Sequence, residues 1–253
     1  MQCPKAALFD LDDTLAESFM PPSGEMIGKV RALLDRMPLS IISGRDFDRI
    51  EPGFLPILTE SPNAGNLFVF PESSARGLRW QNGAWAELYG FHLSPEERAQ
   101  IHAAIEESIA ETGVLNDTPV FGERYLEKPA QTAYAMLGLQ VPRDLKYSWD
   151  PGNAKRKKFQ AVLAEKLPDF EVLLGGATSI DVTKQGVDKR YGVRWFSKAL
   201  EIPVEDMLYV GDALEEGGND YVVIETGIAT RATSGPEETL RIIDEILEAC
   251  SAA

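Results

Sequence analysis

The chain has 253 residues, 44% of them hydrophobic and 26% charged, which suits one large α/β domain or a core with a smaller companion domain. It carries no low-complexity tract, no repeat at solenoid periods and no apolar stretch of transmembrane length, so disordered, repeat and membrane-spanning classes are set aside. A formal charge of −15 repels nucleic acid and anionic lipid, so neither a nucleic acid nor a membrane is expected as a partner.

Taken in chain order, residues 6–9 form a short apolar run that ends abruptly in carboxylates, the pattern of a buried strand feeding a functional loop. Between 25 and 37, Ile27, Val30, Leu34 and Met37 recur at helical spacing, Pro38 stops the helix, and 39–42 reads as a second strand. A further strand is expected at 67–70 and a hairpin at 79–88 around Asn82 and Gly83. Ser94, Pro95 and Glu97 make a capping box, Ile101, Ile105 and Ile109 follow at i, i+4 and i+8, and Gly113 closes that helix.

A strand at 132–137 and a helix at 154–167 come next. The basic run from Lys155 to Lys158 reads as a solvated helix face and is given no role. Beyond it lie a helix at 189–200, a strand at 207–210, short strands within 221–229, and a closing helix with Pro236 at its start and Leu240, Ile243 and Leu247 on one face. The expected fold is therefore α/β: a Rossmann-like core built from residues 1–85 and 173–253, with an α+β insert at 86–172. Cys3 and Cys250 have neither metal-site nor redox-motif spacing, and no basic or apolar leader precedes the first strand, so a reduced cytoplasmic setting is expected.

Four places carry chemistry. Asp10, Asp12 and Asp13 crowd the end of the first strand, at the carboxyl edge where open α/β sheets bind ligands, and such crowding is costly without a cation. Ser43, Gly44 and Arg45 follow the second strand and offer a hydroxyl, an approachable amide and a guanidinium suited to a phosphate. Asp212 ends a later strand, and Gly217, Gly218, Asn219 and Asp220 share its loop. Lys189 opens a helix, where the macrodipole disfavours a cation unless an anion lies nearby. No catalytic histidine is expected, because His92 and His102 both fall in the insert.

In this order, acidic pair, serine, lysine, acidic loop, the chain resembles the haloacid dehalogenase superfamily, and within it the subfamily IIB branch of sugar-phosphate phosphatases and eukaryotic-type phosphomannomutases. The stretches Gly175–Asp181, Asp188–Tyr191 and Gly217–Asp220 are particularly mutase-like. The resemblance implies that the interval from Ser43 to Lys189 holds a cap of the C2b type, which closes over the site to control water and choose the sugar. It implies Asp10 as nucleophile, forming an aspartyl-phosphate, and Asp12 as general acid and then base. Ser43 and Lys189 are implied to stabilise the phosphoryl oxygens, and Lys189 takes that part ahead of Lys184. Mg2+ is implied as cofactor, held by Asp10, the backbone carbonyl of Asp12, and Asp212, with Asp220 steadying the site.

The same resemblance matches Ser179 and Asp181 to sugar-hydroxyl contacts and adds Gly44, Arg45, Lys128, Gln131 and Asn219 as substrate-binding candidates. The expected partner is a small phosphorylated metabolite, a sugar phosphate foremost, handled by a monomer or homodimer. Mutases of this branch hold a bisphosphate with arginines where this chain has Phe19, Lys128 and Leu139, so a phosphatase is favoured over a phosphomannomutase-type mutase. A silent sugar-phosphate sensor, or a phospho-acceptor module of response-regulator type, is the remaining alternative. The intact Asp10, Asp12 and Lys189 argue against the sensor, and the large insert against the receiver.

Overall fold

In this computed structural model, which describes residues 2–18, 20–50 and 52–251, the chain divides into two units, one formed by residues 1–90 with 189–253 and the other by 91–188. The larger unit begins with β1 (Ala6–Asp10), α1 (Gly24–Leu34), β2 (Leu39–Ile42), α2 (Phe47–Ile50), α3 (Leu55–Thr59), β3 (Leu67–Phe70), β4 (Arg76–Gln81) and β5 (Ala84–Gly90). The smaller unit contains α4 (Pro95–Thr112), β6 (Tyr125–Lys128), β7 (Gln131–Ala135), α5 (Arg143–Ser148), α6 (Ala154–Lys166), β8 (Phe170–Gly175) and β9 (Ser179–Lys184). The larger unit resumes with α7 (Lys189–Leu200), β10 (Met207–Gly211), β11 (Ala229–Ala232) and α8 (Pro236–Ser251).

The larger unit is a seven-stranded sheet in the order β11-β10-β1-β2-β3-β4-β5. Its strands from β11 to β3 run parallel, and β4 and β5 turn back antiparallel. The strands that meet in its middle are buried along their length and apolar but for Ser40 and the terminal Asp10, as burial on both faces requires. Period-2 alternation sorts their side chains. Ala7, Phe9, Leu39, Ile41, Val69 and Val210 pack with α1 and α8, while Ala6, Leu8, Ile42, Phe70 and Tyr209 pack with Val193 and Phe196 of α7. The same alternation sends Asp10, two residues beyond Leu8, to the α7 side of the sheet.

The smaller unit is an antiparallel sheet in the order β6-β7-β9-β8. Tyr134, Ile180 and Val182 pack against Ile101 and Ile105 of α4 and against Phe159 and Leu163 of α6. By strand alternation Gln131, Ala133, Ser179 and Asp181 therefore occupy the opposite face.

Most boundaries fall where local signals place them. The capping box forms at Ser94 and Glu97, Gly113 adopts the left-handed conformation past α4, and Asn82 and Gly83 turn the β4–β5 hairpin with positive φ at both. Three expectations are corrected. Residues 173–188, assigned to the core, pair within the smaller sheet, because β9 bonds to β7 along its length and β8 bonds to β9. The strands expected within 221–229 are a 3-10 helix, Tyr221–Thr226, followed by β11 further along.

The third correction concerns the cysteines, which are not free thiols: Cys3 and Cys250 form a disulfide with Cα atoms 4.8 Å apart. The start of β1 and the end of α8 converge on one face of the sheet, where both cysteines pack against its core. This cross-link spans a sequence separation of 247 residues. Reduction is expected to cost about 2–4 kcal/mol through the entropy regained by the unfolded chain. Thermal melts with and without reductant check this, and a Cys3→Ser variant should melt at the reduced temperature in both buffers.

Candidate active site

Asp10, at the end of β1, is 3% exposed and hydrogen-bonded in parallel register beside Ile42, so the residue after β2, Ser43, lies at the same sheet edge. Lys189, first residue of α7, is buried and donates to Asp10 Oδ1 at 2.7 Å and to Asp220 Oδ1 at 2.6 Å. Tyr209 and the Ala213 amide also donate to Asp220, so this carboxylate is held from three sides. Gly211 permits the approach, since a Cβ there would lie 2.4 Å from Asp220 Oδ2. Asp212 follows directly, and one oxygen each from Asp10, Asp212 and Asp220 falls within 4.8 Å of the others.

Three carboxylates therefore face one ammonium in a site largely withdrawn from water. Burial pushes the Asp10 carboxyl up, opposed by Lys189 and reinforced by Asp220 and Asp212. Burial alone would pull Lys189 down, but Asp10 and Asp220 more than reverse it, so the amine stays protonated. Asp212 is pushed up to about 6, first by burial and then by Asp220, with Lys189 opposing. The excess of buried negative charge over one lysine, supplied entirely by hard oxygen donors, fits a divalent cation such as Mg2+.

The sign of that fit is testable. A carboxyl whose pKa rises on folding keeps its proton longer in the folded chain, so Asp212 costs the metal-free protein stability as pH climbs from 3.8 to about 6. A divalent cation needs the same group ionised. Mg2+ is expected to raise Tm more at about pH 7.5 than at about pH 5. Equal shifts in melts with Mg2+ and with chelator would remove Asp212 from the metal site.

Ser43 is buried; its Oγ accepts from the Arg45 amide at 3.1 Å and its carbonyl accepts from the Ser73 amide at 2.9 Å. Gly44 lies between these two anchored residues. Arg45, a candidate for phosphate, grips Asp12 here: its Nε donates to Oδ2 at 2.9 Å and to Oδ1 at 3.2 Å, and its second nitrogen also reaches Oδ1. The Asp12 side chain thus stands outside the acidic triad, which leaves its backbone carbonyl as the group it can offer a metal. Asp13 is turned to Ser18, whose amide and hydroxyl both bond to it. Asn219 is exposed in the Asp212–Asp220 loop. Lys184, the alternative to Lys189, lies in β9 and pairs with Glu97.

In the smaller unit, Lys128 and Gln131 face each other across the β6–β7 turn and are hydrogen-bonded, while the buried Gln131 Nε2 has no hydrogen-bond partner. Asp181 is buried on the same face and pushed up by burial, with Lys128 and Arg156 opposing. Ser179 Oγ donates to the Gly175 carbonyl.

Arg156 corrects the reading of the basic run as a solvated face. It is 2% exposed, pairs with Asp150, and donates to the carbonyls of Gly175, Gly176 and Ser179, so it holds the β8–β9 turn that carries Ser179 and Asp181. The signal was present in its spacing. Arg156, Phe159 and Leu163 share the buried stripe of α6 at i, i+3 and i+7. Tyr209, inside an apolar strand, gave no comparable sign of its bond to Asp220.

Residues 140–249 match the family model described as eukaryotic phosphomannomutase. The phosphomannomutase of Spinacia oleracea is 26% identical over 250 residues, which cover 95% of this chain and 94% of that protein. The sequence similarity of the chain thus lies with phosphomannomutases. Among solved structures, the fold matches a haloacid dehalogenase-like hydrolase from Bacteroides thetaiotaomicron with a TM-score of 0.62 at 15% identity, covering 98% of this chain and 99% of that one. It also matches an IMP-bound, N-terminally truncated IMP-nucleotidase of Plasmodium falciparum with a TM-score of 0.70 at 13% identity, covering 99% of this chain and 68% of that one.

Proposed function

We propose that the protein is a Mg2+-dependent phosphohydrolase that cleaves a phosphorylated sugar or similar small phosphomonoester through an aspartyl-phosphate on Asp10. The observation that carries this reading is the Asp10–Lys189–Asp220 arrangement beside Asp212. It presents a carboxylate at a strand end, a fixed cation next to it, and an acidic set able to hold a hard cation. Asp10, Asp212 and the Asp12 carbonyl would hold Mg2+, which when bound neutralises the phosphate so that one anion can approach another. Asp10 attacks phosphorus in line and the leaving oxygen takes its proton from Asp12, splitting one difficult transfer into two easier ones. Lys189 and Ser43 stabilise the equatorial oxygens from fixed positions.

As further substrate-binding candidates we propose Lys128, Gln131, Ser179 and Asp181 of the smaller unit and Gly44 and Asn219 of the larger one. The buried, unpartnered Gln131 amide supports a hydrogen-bonding ligand, because such a donor is costly to leave unmatched. The hydroxyl of Ser179 and the carboxyl of Asp181 suit a polyol. Of the positions where mutases carry arginine, Leu139 is exposed, Lys128 is engaged by Gln131, and Phe19 lies outside the described residues. An apolar side chain and a lysine do not reproduce a bidentate anion clamp, which favours hydrolysis over transfer between two ends of a sugar.

A second reading, transfer of phosphate between mannose 1-phosphate and mannose 6-phosphate, is favoured by relatives named phosphomannomutase that span more than nine-tenths of the chain. Phosphate release with Mg2+ across sugar 1-phosphates and 6-phosphates, with and without glucose 1,6-bisphosphate, separates the two. Rapid release supports the phosphatase. Slow release with bisphosphate-dependent conversion of mannose 1-phosphate overturns it in favour of the mutase, and tight binding without turnover points to a sensor.

A further inference from the structure

We propose that Arg45 is a positioning residue that holds the Asp12 carboxylate for the hydrolytic half of the reaction, an inference that rests on the aspartyl-phosphate reading above. Both oxygens of Asp12 accept hydrogen bonds from the Arg45 guanidinium, in the side-by-side geometry that only arginine provides. With both oxygens engaged as acceptors, the geometry serves the half of the reaction in which Asp12 takes a proton, and one oxygen must leave the guanidinium before Asp12 can carry a proton to a leaving group.

The loop that carries Arg45 is itself braced. The Arg45 amide is fixed by Ser43 Oγ, and its carbonyl accepts from the Glu72 amide at 2.8 Å. Glu72, Ser73 and Ser74 all adopt left-handed conformations, with φ of 56°, 55° and 73°. Three consecutive residues with side chains in that region are strained and persist only where their surroundings over-determine them. Here the surroundings include the bonds from the Glu72 and Ser73 amides to Arg45 and Ser43. The chain thus tolerates local strain at the carboxyl end of β3 in the segment that braces the Arg45 loop.

In the step concerned, a water oxygen attacks phosphorus of the Asp10 phosphate while Asp12 takes the water proton. The bond between phosphorus and the Asp10 oxygen breaks, its electron pair returns to the Asp10 carboxylate, and inorganic phosphate leaves. Arg45 acts by keeping the Asp12 oxygens aimed at that water. The first half-reaction with p-nitrophenyl phosphate depends little on Asp12, because nitrophenolate leaves without a proton.

The test compares wild type, Arg45→Ala and Arg45→Lys with p-nitrophenyl phosphate and Mg2+, after melts confirm that both variants fold. For Arg45→Ala, kcat is expected to fall about 10- to 100-fold, the scale of a misplaced catalytic group, and KM to fall with it, leaving kcat/KM within about threefold. Pre-steady-state traces should show a burst of nitrophenolate near one equivalent per enzyme as the phosphoenzyme accumulates. Arg45→Lys should behave like Arg45→Ala, because it keeps the charge and loses the fork. A raised KM with no burst would overturn the proposal and return Arg45 to phosphate binding, and wild-type kcat in Arg45→Lys would show that charge alone suffices. Retained turnover in Asp10→Asn would instead overturn the aspartyl-phosphate reading, so the two failures are distinguishable.

Discussion

Asp10→Asn is expected to abolish turnover while leaving the protein as stable as wild type or more so. Removing the nucleophile of a covalent catalyst lowers kcat on the order of 10^4-fold or more. Stability should move the other way, because burial and the neighbouring Asp220 and Asp212 all disfavour charge at this position. The neutral amide keeps the shape and relieves the repulsion, and Lys189 retains Asp220 as partner. Phosphate release and thermal melts on the same preparation check both halves. A destabilised Asp10→Asn would mean that the ion pair with Lys189 outweighs the cost of burying Asp10, and a turnover loss below about tenfold would deny Asp10 the nucleophile's role.

Lys189→Met is expected to damage both properties at once. The lysine is the cation the hydrogen bonds place between Asp10 and Asp220, and an apolar side chain of similar length leaves two buried carboxylates facing each other. Breaking a buried pair from one side costs about 3–5 kcal/mol, and loss of one preorganised charge at a phosphoryl group costs about 10^2- to 10^3-fold in kcat. Mg2+ should restore part of the stability, since a divalent cation neutralises the same carboxylates, and little of the rate. Melts and kinetics with a Mg2+ titration check this. Full restoration of kcat by Mg2+ would show that Lys189 serves the fold alone. Lys184→Met, which removes the ion pair with Glu97 and the contact over the Phe170 ring, both within the smaller unit, is expected to leave kcat near the wild-type value.

The elements that local physics specifies were legible before any tertiary contact was known. Short apolar runs located β1 and β2, period-3.6 apolar patterns located α1 and α8, the capping box located α4, and Asn82-Gly83 located the β4–β5 hairpin, because each signal is written within a few neighbouring residues. The acidic triad was legible for a related reason. In a parallel sheet, every strand delivers its last residue to the same edge, so Asp10 and Asp212 meet once both are placed at strand ends.

What required the tertiary structure depends on partners distant in sequence. Residues 173–188 look like core strands in isolation and belong to the smaller sheet only because β9 finds β7. Cys3 and Cys250 are opposite ends of a linear chain, brought together by the packing of β1 and α8 on one sheet face. The basic run at the start of α6 reads as solvated until β8 and β9 supply the three carbonyls that Arg156 binds. Residue type and strand-end position are local properties, so Asp10, Ser43, Lys189, Asp212 and Asp220 stand out in the sequence as candidates for the chemistry. Their pairing is not local: Arg45 on Asp12, Asp13 on Ser18 and Lys189 between Asp10 and Asp220 follow from the backbones that meet at the sheet edge.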